Sequence, residues 1–311
     1  MRNAFADAIL ECAEKNDKIF MVVADISPAG SMEEFRRRYP DRFINVGVAE
    51  QLMIGISAGL AIEGFLPFAY TISTFAFYRP FEFIRTDLAY QNLPVIIVGV
   101  GSGLVYSTLG STHHTQEDVS IALSVPNLKV LSPHDPTEVS SIINQLCINN
   151  FEGPVYLRLG KAGEPKVKTI DDNFRIGKIR KVVDRGTKIA VISYGLMISK
   201  LIKIIDELIK ENIEISLFSV TTLKPLDEEG IKEILRTFSK IFIFEENSGT
   251  GGLISQITRI SFEQKINFNV YCKSLKDEFI HCYGSHDDLL QKHELNDREI
   301  QRFIRDKIEN S

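Results

Sequence analysis

Three short stretches hold side chains whose types and spacing could do chemistry. In "FINVGVAEQLMIG" (43–55) a β-type run stops at Gly47, and a lone carboxylate, Glu50, follows three residues later. A glutamate in a first helical turn ordinarily just complements the helix dipole. Here the neighbours are Val48, Ala49, Leu52, Met53 and Ile54. They predict a crowded apolar turn, where an ionised carboxyl is costly unless it finds a partner. The second stretch, "STFAFYRPFEF" (73–83), carries Phe75, Tyr78 and Phe81. Aromatics at this spacing usually build core; the alternative is a platform on which a flat heterocycle stacks. The third, "GSGLVYSTLGSTHHTQED" (101–118), is a long polar loop with paired His113 and His114 ahead of a helical pattern. Such a pair suits substrate handling or proton transfer.

The elements around these stretches must bring them together. Apolar runs at 18–25, 43–47, 66–72, 94–100, 128–133 and 154–160 alternate with helical patterns such as 48–62 and 136–149. Runs this continuous indicate strands covered on both faces, hence a mostly parallel sheet with crossover helices. Residues 161–177 break the rhythm with polar and turn residues. A second alternating set follows: strands at 188–195, 213–220, 240–247 and 267–275, a helix over 197–212, and a charged helical tail over 286–309. The reading is α/β: two three-layer domains with mostly parallel sheets, at 1–165 and 179–311, joined by a linker at 166–178. In open parallel sheets ligands bind outside the carboxyl ends of the strands. Segments 25–31, 47–51, 73–81 and 101–114 fall there. "DISPAGS" (25–31) could hold an anion or simply turn the chain. "EENSGTGGL" (245–253) lacks the GxGxxG pattern, so no dinucleotide site is read from it.

Composition narrows the function classes. A formal net charge of -5 gives no basic footprint for nucleic acid and no polybasic membrane patch. Asp7, Glu11 and Glu14 argue against a signal or transit peptide, and no apolar run spans a bilayer. The four cysteines form no CxxC and read as cytosolic thiols, so a cytoplasmic protein is expected.

Taken in order, these pieces resemble the C-terminal half of a transketolase, and the matching half of 1-deoxyxylulose-5-phosphate synthase. The carrying motifs are "VADISP", "INVGVAEQLMIGISAGLAIEGFLPF", "STFAFYRPFEFIRTDLAYQNLPVIIVG", "GLVYSTLGSTHHTQEDVSIALSVPNLKVLSPHDPTE", "GPVYLRLGKAGEP", "TTLKPLD" and "EENSGTGGL". The resemblance implies a pyrimidine-binding domain followed by a transketolase C-terminal domain, with thiamine diphosphate and Mg²⁺ as cofactors. It implies that Glu50 hydrogen-bonds N1′ of the aminopyrimidine, favouring the 4′-imino tautomer that takes the proton from thiazolium C2. That role needs a desolvated carboxyl able to share a proton with a ring nitrogen. Phe75, Tyr78 and Phe81 match the family's pocket positions, with Tyr78 placed on the pyrimidine. His113 and His114 match the substrate-contacting histidines, and His113 can shuttle protons. Lys161 falls where the family has an arginine reaching the sugar phosphate. A lysine offers the charge without the bidentate fork.

The departures bear on substrate. The family's "DGPTH" reads "LGSTH" here, so Leu109 replaces an acid that contacts a substrate hydroxyl. A phosphate-binding histidine is replaced by Gly101, and the expected phosphate-side serine falls near Ala29, with Ser27 close by. No GDG motif is present, so the diphosphate half of the cofactor site is expected on an N-terminal transketolase subunit in an α2β2 assembly. The leading expectation is transfer of a two-carbon ketol unit between sugar-type substrates with altered contacts. The alternatives are decarboxylative condensation as in deoxyxylulose phosphate synthesis, the β subunit of a 2-oxo acid dehydrogenase, and a non-catalytic regulatory subunit.

Overall fold

The computed structural model describes residues 1–26, 31–148, 151–170, 174–266 and 269–309, and within them the chain forms two α/β domains. The first half contributes α1 (Arg2–Lys15), β1 (Ile19–Val23), α2 (Ser31–Arg38), β2 (Phe43–Asn45), α3 (Glu50–Ile62), β3 (Leu66–Ile72), α4 (Ser73–Phe77), α5 (Phe81–Phe83), β4 (Ile96–Val100), α6 (Asp118–Ser124), β5 (Lys129–Leu131), α7 (Pro136–Ile148) and β6 (Val155–Leu159). The second contributes β7 (Arg180–Val183), β8 (Ile189–Ser193), α8 (Met197–Lys210), β9 (Ile215–Ser219), β10 (Thr222–Lys224), α9 (Glu228–Thr237), β11 (Lys240–Ser248), α10 (Leu253–Glu263), β12 (Asn269–Leu275), α11 (His286–Lys292) and α12 (Asp297–Glu309).

The larger sheet has the order β10-β5-β6-β4-β3-β1-β2. All its neighbours pair in parallel except β10 with β5. Alternation along β4 explains why its whole sequence is apolar. Ile96, Val98 and Val100 pack with Phe5 and Ile9 of α1 and with Val139 and Ile142 of α7. Ile97 points the other way, toward Met53 and Ile54 of α3, Phe77 of α4 and Val119 of α6. The strand is therefore buried on both faces between two helical layers. Gly99 is the one break in its apolar series. A Cβ there would meet Ser73 Oγ at 2.9 Å and the Tyr156 ring at 3.1 Å, so glycine lets α4 start against the strand.

The smaller sheet has the order β12-β11-β8-β9-β7, parallel except for β7 at the edge. Ile198, Leu201, Ile205 and Leu208 of α8 recur at helical spacing and bury against Val191, Leu217 and Phe242. On the opposite face Ile192, Phe218, Ile243 and Leu253 belong to the same apolar cluster as Met53 and Phe77, so one core runs across both domains.

Two strands depart from the sequence expectations. β7 and β10 lie in stretches not read as strands, and β10 leaves the second half to pair with Val130 and Leu131 of β5. The tail, expected as one helix, is two. Ser285 caps α11 through a reciprocal bond with Asp288, and Asn296 accepts the Glu299 N–H to start α12 afresh.

Candidate active site

Gly47, at a φ of 71°, turns the chain out of β2, and the Asn45 side chain holds the turn by accepting its N–H at 3.0 Å. Glu50 then opens α3 with only 3% of the residue exposed. The turn is not apolar on all sides, as the neighbours had suggested: Val48 and Leu52 face solvent at 68% and 52% exposure. The buried carboxylate has a cation as its partner. Arg79, just after α4, donates from Nη1 to Glu50 Oε1 at 2.8 Å. Its guanidinium carbon lies 4.1 Å from the centre of the Phe75 ring. The Phe75 ring meets His113 edge-on at 5.2 Å, and His113 lies 6.1 Å from Tyr106. Lys161 Nζ lies 4.9 Å from the centre of the Tyr106 ring in turn. A continuous row of contacts therefore runs Glu50–Arg79–Phe75–His113–Tyr106–Lys161. It crosses the loops that follow β2, β3, β4 and β6, at the carboxyl edge of the sheet.

The loop carrying His113 is held by close backbone approaches. Gly101, at φ 82°, leaves the space that the Tyr106 ring fills; any Cβ there would overlap that ring. No side chain can stand at position 101, because an aromatic ring from five residues on fills the space. Gly103 likewise makes room for the Glu246 carboxylate, and its N–H donates to Thr115 Oγ1 at 2.7 Å. Glu246, on β11 of the second domain, accepts the Leu104 N–H at 2.6 Å and pairs with His286 Nε2 at 2.8 Å. Beneath them Arg158 pairs with Asp118 at 2.8 Å and donates to the Thr115 and Glu246 carbonyls. Tyr156 adds a further donor to the set, reaching Asp118 at 2.7 Å.

These contacts shift several acidities. Burial, aided by the nearby Arg79 charge, lowers the pKa of His113 below the ordinary histidine value. Burial lowers His114 as well, against the Glu246 charge and a hydrogen bond to the Tyr106 backbone. Burial opposes charge on both Glu246 and His286, but their mutual attraction prevails: Glu246 falls and His286 rises. At Glu245 burial prevails, although the Arg158 charge and the Tyr194 hydroxyl act against it. Burial pushes it up to about 7, against the N–H groups of Leu253 and Ile254 that cap α10 onto it. Gly252 leaves room for that carboxylate, which gives the glycine loop a structural purpose.

Of the residues singled out from sequence, Glu50, Phe75, His113 and Lys161 fall in the row. Tyr78 and Phe81 are not part of it. The Tyr78 hydroxyl donates to Glu117 at 2.8 Å and accepts that residue's N–H at 3.2 Å, while Phe81 packs on Phe77 at 5.8 Å. His114 is buried behind the loop, and its carbonyl accepts the Thr74 hydroxyl. Leu109 sits on the loop at 46% exposure. Ser27 lies outside the described residues. Among the described residues no group of three or more His, Cys, Asp or Glu side chains could hold a metal, and no helix is long and apolar enough to cross a membrane.

Two family models match the chain: the transketolase pyrimidine binding domain over residues 1–164 and the transketolase C-terminal domain over 177–300. The chain belongs to the transketolase family. It is 32% identical to a 6-deoxy-6-sulfo-D-fructose transketolase subunit of Clostridium sp. (strain MSTE9), over 81% of this chain and 78% of that one. It is 31% identical to a putative transketolase C-terminal section of Methanocaldococcus jannaschii, over 99% of this chain and 96% of that one. A solved split gene transketolase, an inactive beta4 tetramer, superposes with a TM-score of 0.87 at 30% identity, covering 98% of this chain and 97% of that one.

Within this transketolase-family chain, sequence reasoning missed Arg79, Tyr106, Glu246 and His286. Arg79 left one signal, a lone cation inside an aromatic run beside Pro80. Glu246 and His286 left none, because the other domain supplies them.

Proposed function

We propose that this chain is the C-terminal subunit of a split, thiamine-diphosphate-dependent transketolase-like transferase, moving a two-carbon ketol unit between sugar-type substrates. The observation that carries the reading is the buried Glu50 carboxylate in line with an aromatic face and His113. The residues fit the aminopyrimidine of the cofactor. A planar, nitrogen-bearing guanidinium already lies on Phe75 and hydrogen-bonds Glu50, the two contacts a flat nitrogen heterocycle would need. Glu50 would hold the ring nitrogen by a shared proton, with Phe75, Tyr78 and Phe81 as the aromatic surround. Bound thiamine diphosphate would supply a nucleophilic thiazolium carbon.

The chain's own groups do the rest. His113, its pKa lowered, is neutral near pH 7 and can accept a proton from a substrate hydroxyl. Together His113, His114, Lys161, Leu109 and Ser27 form the substrate side, with Lys161 offering a cation to an anionic group. Leu109 in place of an acid favours a different hydroxyl pattern. The domains are 1–165 and 179–311, with 166–178 as linker.

Mg²⁺ and the diphosphate are held mainly by an N-terminal transketolase subunit carrying a GDG motif, in an α2β2 assembly. The bare face of α3 supports a partner there. Val48 and Leu52 at the start of the helix and Ile62 at its end, 61% exposed, are open, and a Cβ on Gly55 or Gly59 between them would meet nothing within 4 Å. The subunit naming of the Clostridium relative supports the same division of labour.

The test is co-expression with that partner and assay of Glu50→Gln. Loss of a positioned acid–base group costs about 10²–10⁴-fold in turnover. Full ketol transfer with Gln at position 50 would sink the proposed role.

A further inference from the structure

We propose that Arg79 is a built-in occupant of the cofactor-ring site, covering Glu50 and Phe75 in the unliganded chain and swinging aside when the aminopyrimidine arrives. This rests on the function proposed above. The same carboxylate oxygen and the same ring face that would hold the heterocycle are the two surfaces the guanidinium uses, at 2.8 Å and 4.1 Å. A guanidinium can stand in for such a ring because it is planar, stacks on aromatic faces and is weakly hydrated. The pair is asymmetric. The Glu50 side chain is 5% exposed and that of Arg79 is 44% exposed, so the arginine has solvent to retreat into and the glutamate does not. Gln51 fixes the Arg79 carbonyl at 3.4 Å, leaving the side chain as the moving part. Without a partner the buried carboxylate would be costly. The arginine removes that cost until a ring replaces it.

Cofactor and guanidinium then compete, and the apparent affinity falls by the fraction of chains in the open state. If Arg79 is closed in nine chains out of ten, removing it tightens binding about tenfold. The experiment titrates thiamine diphosphate, at saturating Mg²⁺, into the complex of this chain with its GDG-bearing partner by calorimetry. Wild type, Arg79→Met and Arg79→Lys are compared. Met keeps the stem without the cation; Lys keeps the charge without the flat fork. The expected result is a Kd about tenfold lower for Arg79→Met and an intermediate value for Arg79→Lys. Should the Met variant fail to fold, a Kd for Arg79→Lys below that of wild type is still required. Equal or weaker binding in the variants overturns the inference alone. No binding in wild type or variants overturns the reading of the site, and the inference with it.

Discussion

Glu246→Ala should loosen the loop that carries His113 and His114, and the contacts set the size of the effect. The carboxylate is buried, holds the Leu104 N–H at 2.6 Å and pairs with His286 at 2.8 Å. Removing one member of a buried ion pair costs about 3–5 kcal/mol, because the survivor is left uncompensated. The stranded Leu104 N–H adds about 1–3 kcal/mol. His286 can relieve part of this by losing its proton, and water can reach the space left by the carboxylate, so about 4 kcal/mol is expected. Two domains sharing one core do not guarantee a single unfolding transition. Amide hydrogen exchange at Leu104 and Thr115 is therefore the sharper assay, and about 4 kcal/mol is close to a thousandfold in opening. The pH dependence has a definite sign. His286 is raised in the folded state, so its contribution is present below the ordinary histidine range and lost as pH rises through the raised value. Glu246 is lowered, so its share is lost only as pH falls through that lowered value. The gap between wild type and Glu246→Ala should be widest between those two points. An exchange rate changed less than about fivefold across that window, equivalent to about 1 kcal/mol, would refute the bracing argument.

Gly101→Ala should destabilise by about 2–5 kcal/mol, combining a positive φ with a Cβ driven into the Tyr106 ring; thermal unfolding measures it, and a neutral outcome contradicts the packing. Glu245 predicts a falling stability curve. Burial raises its folded pKa from 4.5 to about 7, so the folded state keeps the proton longer, and ionisation penalises folding increasingly from about pH 4.5 to 7. Wild type should lose up to about 3 kcal/mol of stability between pH 5 and pH 8 from this group, and Glu245→Gln should flatten that part of the curve. Denaturant unfolding at a series of pH values checks it, and identical slopes for the two proteins would count against it.

The fold class was legible because parallel strands buried on both faces leave long apolar runs. β1, β3 and β4 carry that signature in Ile19–Val23, Leu66–Ile72 and Ile96–Val100. β10 does not: three residues, Thr222–Lys224, owe their strand to a partner some ninety residues earlier, which no local pattern records. The site divides in the same way. Glu50, Phe75 and His113 stand at turns where residue type and position already mean something. The closeness of Arg79 to Glu50 depends on how α3 and α4 cross, and the Glu246 brace depends on how two domains dock. Both are tertiary facts. The burial of Glu50 was legible, but the openness of Val48 and Leu52 was not, because apolar neighbours in sequence do not guarantee apolar neighbours in space.

The passage of β10 into the larger sheet also has a bearing on how the protein is made. Until Lys224 has left the ribosome, β5 is an open edge, with Val130 and Leu131 offering unpaired backbone to any extended chain nearby. The nascent first half can collapse around β1, β3 and β4 as it emerges, but its sheet closes only after β7, β8 and β9 have been synthesised. A fragment ending before β7 would keep that edge permanently. Its tendency to self-associate, set against the behaviour of the whole chain, would report how much the late-arriving strand protects.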